Sequence, residues 1–395
     1  MTAARSLPFF SRRSFLQLST AASATAALGI VTEPMLALAA QRAIPPADAV
    51  IIDQNENPLG PCRGALEAMS AILPKGGRYQ LELTDNLEAT YAQMLGLKTE
   101  YVTAFPGSSN PLHFTVIAYA SATRSYVTAD PGYEAGMHAA NVAGARIVKV
   151  PLTKTYAHDV KAMLTAAPDA GVFYICTPNN PTGTLTPHSD IEYLLENKPK
   201  GSVVLVDEAY IHFSDAASVI DLVKADKDLI VLRTFSKIYG MAGLRCGFAI
   251  GKPDQLARVR QLQGWHAMPV TAVVAAAASL KDDTLVSERK RINARVRQGT
   301  FDWLDRNGYS YIHSESNFFM LDMGRPAKGV IDAMAHQNVF IGRVWPVMPN
   351  YARITVGTGP EMEKFQAALK RVMDGAAVAN LRPRPQTLDG LRVRA

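Results

Sequence analysis

Arg233-Thr234-Phe235-Ser236-Lys237-Ile238-Tyr239-Gly240-Met241-Ala242-Gly243-Leu244-Arg245-Cys246-Gly247-Phe248 is the most informative stretch of this 395-residue chain. It leaves one apolar run, 229–232, and enters another, 247–250. Short apolar runs of this kind read as strands buried on both faces. Lys237 therefore stands just past a strand end, flanked by Thr234 and Ser236, with Arg245 eight residues on. A second cation nearby lowers an amine's pKa, and the hydroxyls and guanidinium are donors suited to a phosphate. A lone lysine in this position reads as a surface loop residue, so the surroundings decide its meaning.

Those surroundings repeat the pattern upstream. The run 172–176 ends in Thr177-Pro178-Asn179-Asn180-Pro181-Thr182-Gly183, and the run 203–206 ends in Asp207-Glu208-Ala209-Tyr210. Asn180, Asp207 and Lys237 follow one another at intervals of 27 and 30 residues. With further runs at 126–129 and 147–150, separated by helical stretches, this predicts a mostly parallel α/β sheet with helices on both faces. Ligands of such sheets lie at the carboxyl ends of the strands, where the amide, the carboxylate and the amine converge.

With these residues in place, the chain resembles a fold-type I pyridoxal-phosphate (PLP) enzyme of the class I/II aminotransferases, and among them the histidinol-phosphate aminotransferase family. The resemblance runs over roughly 51–372. It includes Asn55-Glu56-Asn57-Pro58-Leu59-Gly60-Pro61 near the start and Arg353-Ile354-Thr355-Val356-Gly357-Thr358 near the end. It implies a PLP-dependent transaminase that exchanges an amino group between an amino acid, or a related amine with an anionic group, and a 2-oxo acid. Lys237 would carry PLP as an aldimine and then move the proton between substrate and cofactor. Asp207 would pair with the pyridine nitrogen and keep it cationic, which is what makes the ring an electron sink. Asn180 and Tyr210 would hydrogen-bond the phenolic oxygen, and Tyr133 would stack on the ring.

The phosphate would lie at the helix start after Gly107, where free N–H groups and the helix dipole attract an anion. Ser108, Ser109, Thr234, Ser236 and Arg245 would contact it. Tyr79 would reach the phosphate of a neighbouring subunit, implying a homodimer with shared sites. Arg353 would hold the substrate's carboxylate or phosphate as a planar fork, with Arg343 a second arginine near the substrate anion.

Four departures set this chain apart. The segment Ile44-Pro45-Pro46-Ala47-Asp48-Ala49-Val50 lacks the tyrosine that this family uses on the substrate phosphate. Asn110 stands where Glu is common, and Gln80 follows Tyr79 where Pro is common. The stretch 344–351 is rich in aromatics and proline, so that Trp345 and Tyr351 either line a pocket for an apolar or aromatic substrate or pack the small domain. These features argue against histidinol phosphate as the physiological substrate. A decarboxylase or lyase of the same fold is the alternative activity, since all PLP chemistries begin alike. A catalytically dead PLP-binding protein fits poorly with an intact Lys237, Asp207, Asn180, Tyr210 and Arg245.

The remaining organisation follows from composition. Ser11-Arg12-Arg13-Ser14-Phe15-Leu16-Gln17, a mildly apolar stretch over 18–30, and Ala37-Leu38-Ala39 resemble a twin-arginine export signal over 1–39. Glu33 and Pro34 interrupt a run already short of a membrane span, so no stable span is expected after cleavage. This predicts a folded, exported, periplasmic enzyme. Residues 40–75 are expected to join the small domain, 76–261 to form the large PLP-binding domain, 262–380 the small α+β domain, and 381–395 a loose tail.

Three cysteines and no Cys/His cluster exclude a disulfide scaffold and a structural zinc. The net charge of +6 hints at a nucleic-acid partner, but the leader holds +2 of it and the tail +3. With about +1 left in the body and no helix-turn-helix segment ahead of it, a DNA-binding regulator is not expected.

Overall fold

A computed structural model describes residues 45–263 and 268–375; the leader 1–39 and the tail 381–395 lie outside the described residues. The strands are β1 (Val50–Ile52), β2 (Val102–Phe105), β3 (Ser125–Asp130), β4 (Ile147–Pro151), β5 (Ala170–Cys176), β6 (Val203–Asp207), β7 (Leu229–Thr234), β8 (Gly247–Gly251), β9 (Tyr311–Ile312), β10 (Phe318–Asp322), β11 (Val339–Ile341) and β12 (Tyr351–Thr355). Seven of them form the main sheet in the order β2-β8-β7-β6-β5-β3-β4. Pairings from β4 through β7 are parallel, and β8 runs antiparallel to both neighbours. Every residue of β5, β6, β7 and β8 is buried, which is why these strands read as unbroken apolar runs.

The parallel register aligns the strand ends. Cys176 pairs with Asp207, and Asp207 with Leu232, so Asn180, Asp207 and Lys237 leave the sheet along one edge. Behind them a buried ion pair ties β6 to β7: Arg233 donates to Glu208 at 2.7 Å, and also bonds Ser218 at 2.8 Å. Burial and the Arg233 charge push the His212 imidazole well below its usual pKa, so its neutral Nε2 accepts from Arg233 at 2.9 Å. A buried network of this sort fixes geometry more than it adds stability.

The smaller unit has β1 paired with β11 in parallel and a three-stranded antiparallel sheet β12-β10-β9. Its core is formed by Val50, Ile52, Phe319, Ile354, Phe365 and their neighbours. The division of the cores corrects two expected boundaries. Helix Val270–Leu280 packs against helix Arg63–Ile72 and contributes Ala272, Val273, Ala275 and Ala276 to the larger core, although it lies beyond 262. Its Ala/Val-rich surface is apolar nearly all round and needs cover on both sides. Within 40–75, β1 joins the small core, whereas Ala65 of the following helix joins the large one. Helix Leu285–Arg306 links the two, with Leu285 in the larger core and Phe301 and Leu304 in the smaller. Among the described residues no helix is long and apolar enough to cross a membrane.

Candidate active site

A cavity of about 330 Å³ opens at the carboxyl ends of the strands. Asn180, Asp207, Tyr210, Lys237, Tyr133, Ser108, Ser109, Thr234, Ser236 and Arg245 all line it. Ten of the residues expected from the sequence thus meet in one place.

Its floor is Asp207, 4% exposed. One carboxylate oxygen accepts from the Tyr174 hydroxyl at 2.9 Å and the other from the Ala209 amide at 3.1 Å. Burial pushes this carboxyl up to about 6, while those two bonds and the nearby Lys237 pull the other way. Lys237 reaches across the opening, its Nζ donating to the Gln54 carbonyl at 3.3 Å and standing 5.5 Å from the centre of the Tyr210 ring. The Tyr210 hydroxyl accepts from Asn55 Nδ2 at 3.2 Å, and its ring meets Phe318 edge-on.

At the far end is a cradle of donors. Thr234 Oγ1 donates to Ser236 Oγ at 3.0 Å, and Arg245 Nη1 donates to the same oxygen at 3.3 Å. Ser108 precedes helix Ser109–Tyr119 without capping it through its side chain, which leaves the first-turn amides without a side-chain acceptor. Gly107 is required here: its φ is +83°, and a Cβ would lie 2.2 Å from Arg245 Nη2. Gly247 is equally constrained, since a Cβ would come within 2.7 Å of the Arg233 carbonyl and the Ser108 amide.

These features fit PLP. A buried carboxylate whose pKa has been driven up by burial suits a cationic ring nitrogen, and the hydroxyl, amide and guanidinium cradle suits a phosphate.

Arg353 and Arg343 do not line the cavity; Arg353 bonds the lining residue Asn180, and Arg343 bonds Glu134, next to the lining residue Tyr133. Arg353, 1% exposed, donates to Asn180 Oδ1 at 2.7 Å and to the Asp53 carbonyl at 2.9 Å. Arg343 donates to one oxygen of Glu134 at 2.8 Å and to the other at closer range. Trp345 is buried, donating from its indole N–H to the Gly132 carbonyl at 3.3 Å, and does not line the cavity. Of the two roles open to it, packing is the one observed. Tyr351 lines a separate groove with Tyr156 and Met348. Tyr79 is 66% exposed and is not brought to the cavity of its own chain.

Several functional positions were not singled out from the sequence. Asn55 sits in the left-handed region, φ 56°, clamped between Tyr210 and Thr355. It falls in the quoted Asn-Glu-Asn-Pro segment, which was the available signal. Tyr174, two residues inside a strand, offered none. His158 is buried and pushed down to about 3, so its neutral ring bonds Thr186 Oγ1 at 2.8 Å and accepts from the Cys176 amide at 3.4 Å, bracing the loop that carries Asn180.

Residues 47–372 match the family Aminotransferase class I and II, and the chain belongs to it. It is 33% identical to an aromatic amino acid aminotransferase of Cutibacterium acnes over 83% of this chain and 94% of that one. It is 34% identical to a histidinol-phosphate aminotransferase of Symbiobacterium thermophilum, covering 84% and 93% respectively. Among solved structures it resembles a histidinol-phosphate aminotransferase of Sinorhizobium meliloti in complex with pyridoxal-5'-phosphate. That likeness has a TM-score of 0.77 and 26% identity, over 83% of this chain and 91% of the other. The fold is that of the fold-type I PLP transferases, and the protein is a PLP-dependent aminotransferase.

Proposed function

We propose that the enzyme transaminates an α-amino acid whose carboxylate is held by Arg353, using the residues of this cavity in the roles their positions suggest. The observation that carries this is the placement of Arg353, buried and aimed between Asn180 and the backbone of Asp53, beside the cavity that holds Lys237. A planar guanidinium so fixed is suited to take a carboxylate through two parallel bonds.

Bound PLP supplies an electron sink for charge developing at the substrate's α-carbon. Lys237 would hold the cofactor, and its free amine would serve as the base and acid that moves the proton at the substrate's α-carbon. Asp207 would keep the ring nitrogen cationic, and Tyr174 favours the ionised form of Asp207 and holds it in place. Tyr210 and Asn180 would donate to the cofactor's phenolic oxygen. Ser108, Ser109, Thr234, Ser236 and Arg245 would hold the phosphate, and Tyr133 would stack on the ring.

A screen of amino donors on the mature enzyme tests this, read by conversion of the cofactor to its aminated form with stoichiometric release of 2-oxo acid. Release of carbon dioxide without the aminated cofactor would favour the decarboxylase alternative and overturn it.

Two further parts of this reading concern assembly and location. The exposed Tyr79 is suited to a homodimer in which each subunit completes the other's phosphate site. Mixing Lys237→Ala and Tyr79→Phe variants should then restore activity above either alone. The arginine pair and small-residue site within 1–39 support export by the twin-arginine route to the periplasm. Cell fractionation with Arg12 and Arg13 replaced by lysine should retain the protein inside.

A further inference from the structure

Arg343 stands two residues beyond the end of β11. Gly342, between them, donates its amide to the Arg353 carbonyl at 2.9 Å, and a Cβ there would lie 2.5 Å from that oxygen. Both guanidinium groups lie over the ring of Trp345, Arg343 at 4.1 Å and Arg353 at 5.4 Å. Arg343 is therefore a second cation beside Arg353, behind the cavity lining on the small-domain side. It is gripped by both oxygens of Glu134, the residue after cavity-lining Tyr133, and the two side chains are only 17% and 12% exposed. Trp345 locks this arrangement by bonding the backbone two residues before Glu134.

We infer that Glu134 sets the class of amino donor by occupying Arg343, restricting the enzyme to donors with an uncharged, apolar or aromatic side chain. The inference rests on the reading of Arg353 as the α-carboxylate residue. A donor with a second carboxylate or a phosphate could reach Arg343 only by displacing Glu134. That leaves a largely dehydrated carboxylate without its bidentate partner and beside a second anion, a cost on both counts. An uncharged side chain leaves the pair intact and packs beside it at no such penalty. The sequence had offered Arg343 as a ligand for a substrate anion; its bidentate partner, 209 residues away, gives it a different task.

The experiment compares the wild type with Glu134→Gln, which keeps the shape and removes the charge. The ratio of kcat/KM for glutamate to kcat/KM for phenylalanine should be low in the wild type. It should rise roughly ten- to a hundredfold in the variant, the range expected when a guanidinium gains an anionic hydrogen-bond partner. Adding Arg343→Met to Glu134→Gln should return the ratio toward the wild-type value. A ratio unchanged within about twofold in Glu134→Gln, or a wild type that already favours glutamate, overturns the inference. Calorimetric binding of glutarate and of hydrocinnamate to the holoenzyme gives the same comparison without turnover. Glutarate should tighten relative to hydrocinnamate in Glu134→Gln, and no change overturns the proposal. If neither amino acid is turned over, the Arg353-based reading of the donor fails on its own, while the binding data still decide the role of Glu134.

Discussion

On one side of the cavity, Asp207 and Lys237 stand at the ends of adjacent parallel strands, β6 and β7, each buried along its whole length. On the other side, just behind the lining residues, Arg343, Trp345 and Arg353 stand on and between β11 and β12, which belong to two different small sheets. The first wall gets its geometry from a continuous hydrogen-bonded ladder and needs few side-chain partners. The second gets it from side chains: Glu134 on Arg343, Asn180 on Arg353, and Trp345 beneath both. A reaction common to many substrates is served by the rigid wall, and selection among substrates is left to the one built of exchangeable contacts.

The comparison predicts that changes to the first wall abolish chemistry and changes to the second redirect it. Lys237→Ala should lower kcat by at least about a thousandfold, the range for loss of a general base, with loss of the visible absorbance of the linked cofactor. Release of 2-oxo acid at the wild-type rate would dismantle the assigned mechanism.

Asp207→Asn should lower kcat/KM roughly a hundredfold, since a fixed charge opposite the reacting system is removed. The same substitution should act in the opposite direction on the cofactor-free protein. The folded-state value of about 6 lies above the ordinary 3.8, so folding takes up a proton between these values. The stability linked to the protonated form is complete below about 3.8 and is lost as pH rises through about 6. At pH 8 cofactor-free Asp207→Asn should therefore be more stable than wild type, on the order of 2 kcal/mol, the gain fading toward pH 4. Urea unfolding at the two pH values checks it, and an equal effect at both would show that burial is not what shifts Asp207.

Arg353→Lys keeps the charge and loses the planar fork. It should raise KM for the amino donor roughly ten- to a hundredfold and leave cofactor affinity within about threefold. Arg353 also bonds Asn180 on the cofactor side, so a larger fall in cofactor affinity would show that the two walls are not separable.

The first wall was legible in the sequence and the second was not, for a physical reason. Asp207 and Lys237 each follow directly on an apolar run, and buried parallel strands advertise their ends locally. Gly107 and Ser108 likewise precede a helix that starts where chain texture says it should. Glu134 and Arg343 are neighbours only because Trp345 draws a large-domain loop against β11, a contact no local pattern encodes. The domain boundary at 262 failed similarly. Charged residues on helix Leu285–Arg306 suggested a change of domain, whereas the apolar helix before it completes the large core.

The smallest expected effect concerns Tyr174, which lies within the first wall yet was invisible from outside it. Its hydroxyl is the only side-chain donor to Asp207 among the bonds found for that carboxylate in the described residues, the other being the Ala209 amide. Tyr174→Phe keeps the packing of a fully buried ring and removes one bond to a charged group, worth about 1.5–3 kcal/mol. The Asp207 carboxyl should then rise further, and the pH window over which the cofactor-free protein loses stability should move up with it. In the holoenzyme the cationic ring nitrogen offsets most of this, so kcat should fall only about three- to tenfold at pH 7 and less at pH 8. A loss of equal size at both pH values, with the cofactor-free stability curve unmoved, would mean that Tyr174 serves packing alone. Asp207 would then owe its position to the backbone and packing alone, and the contrast between the two walls would be sharper still.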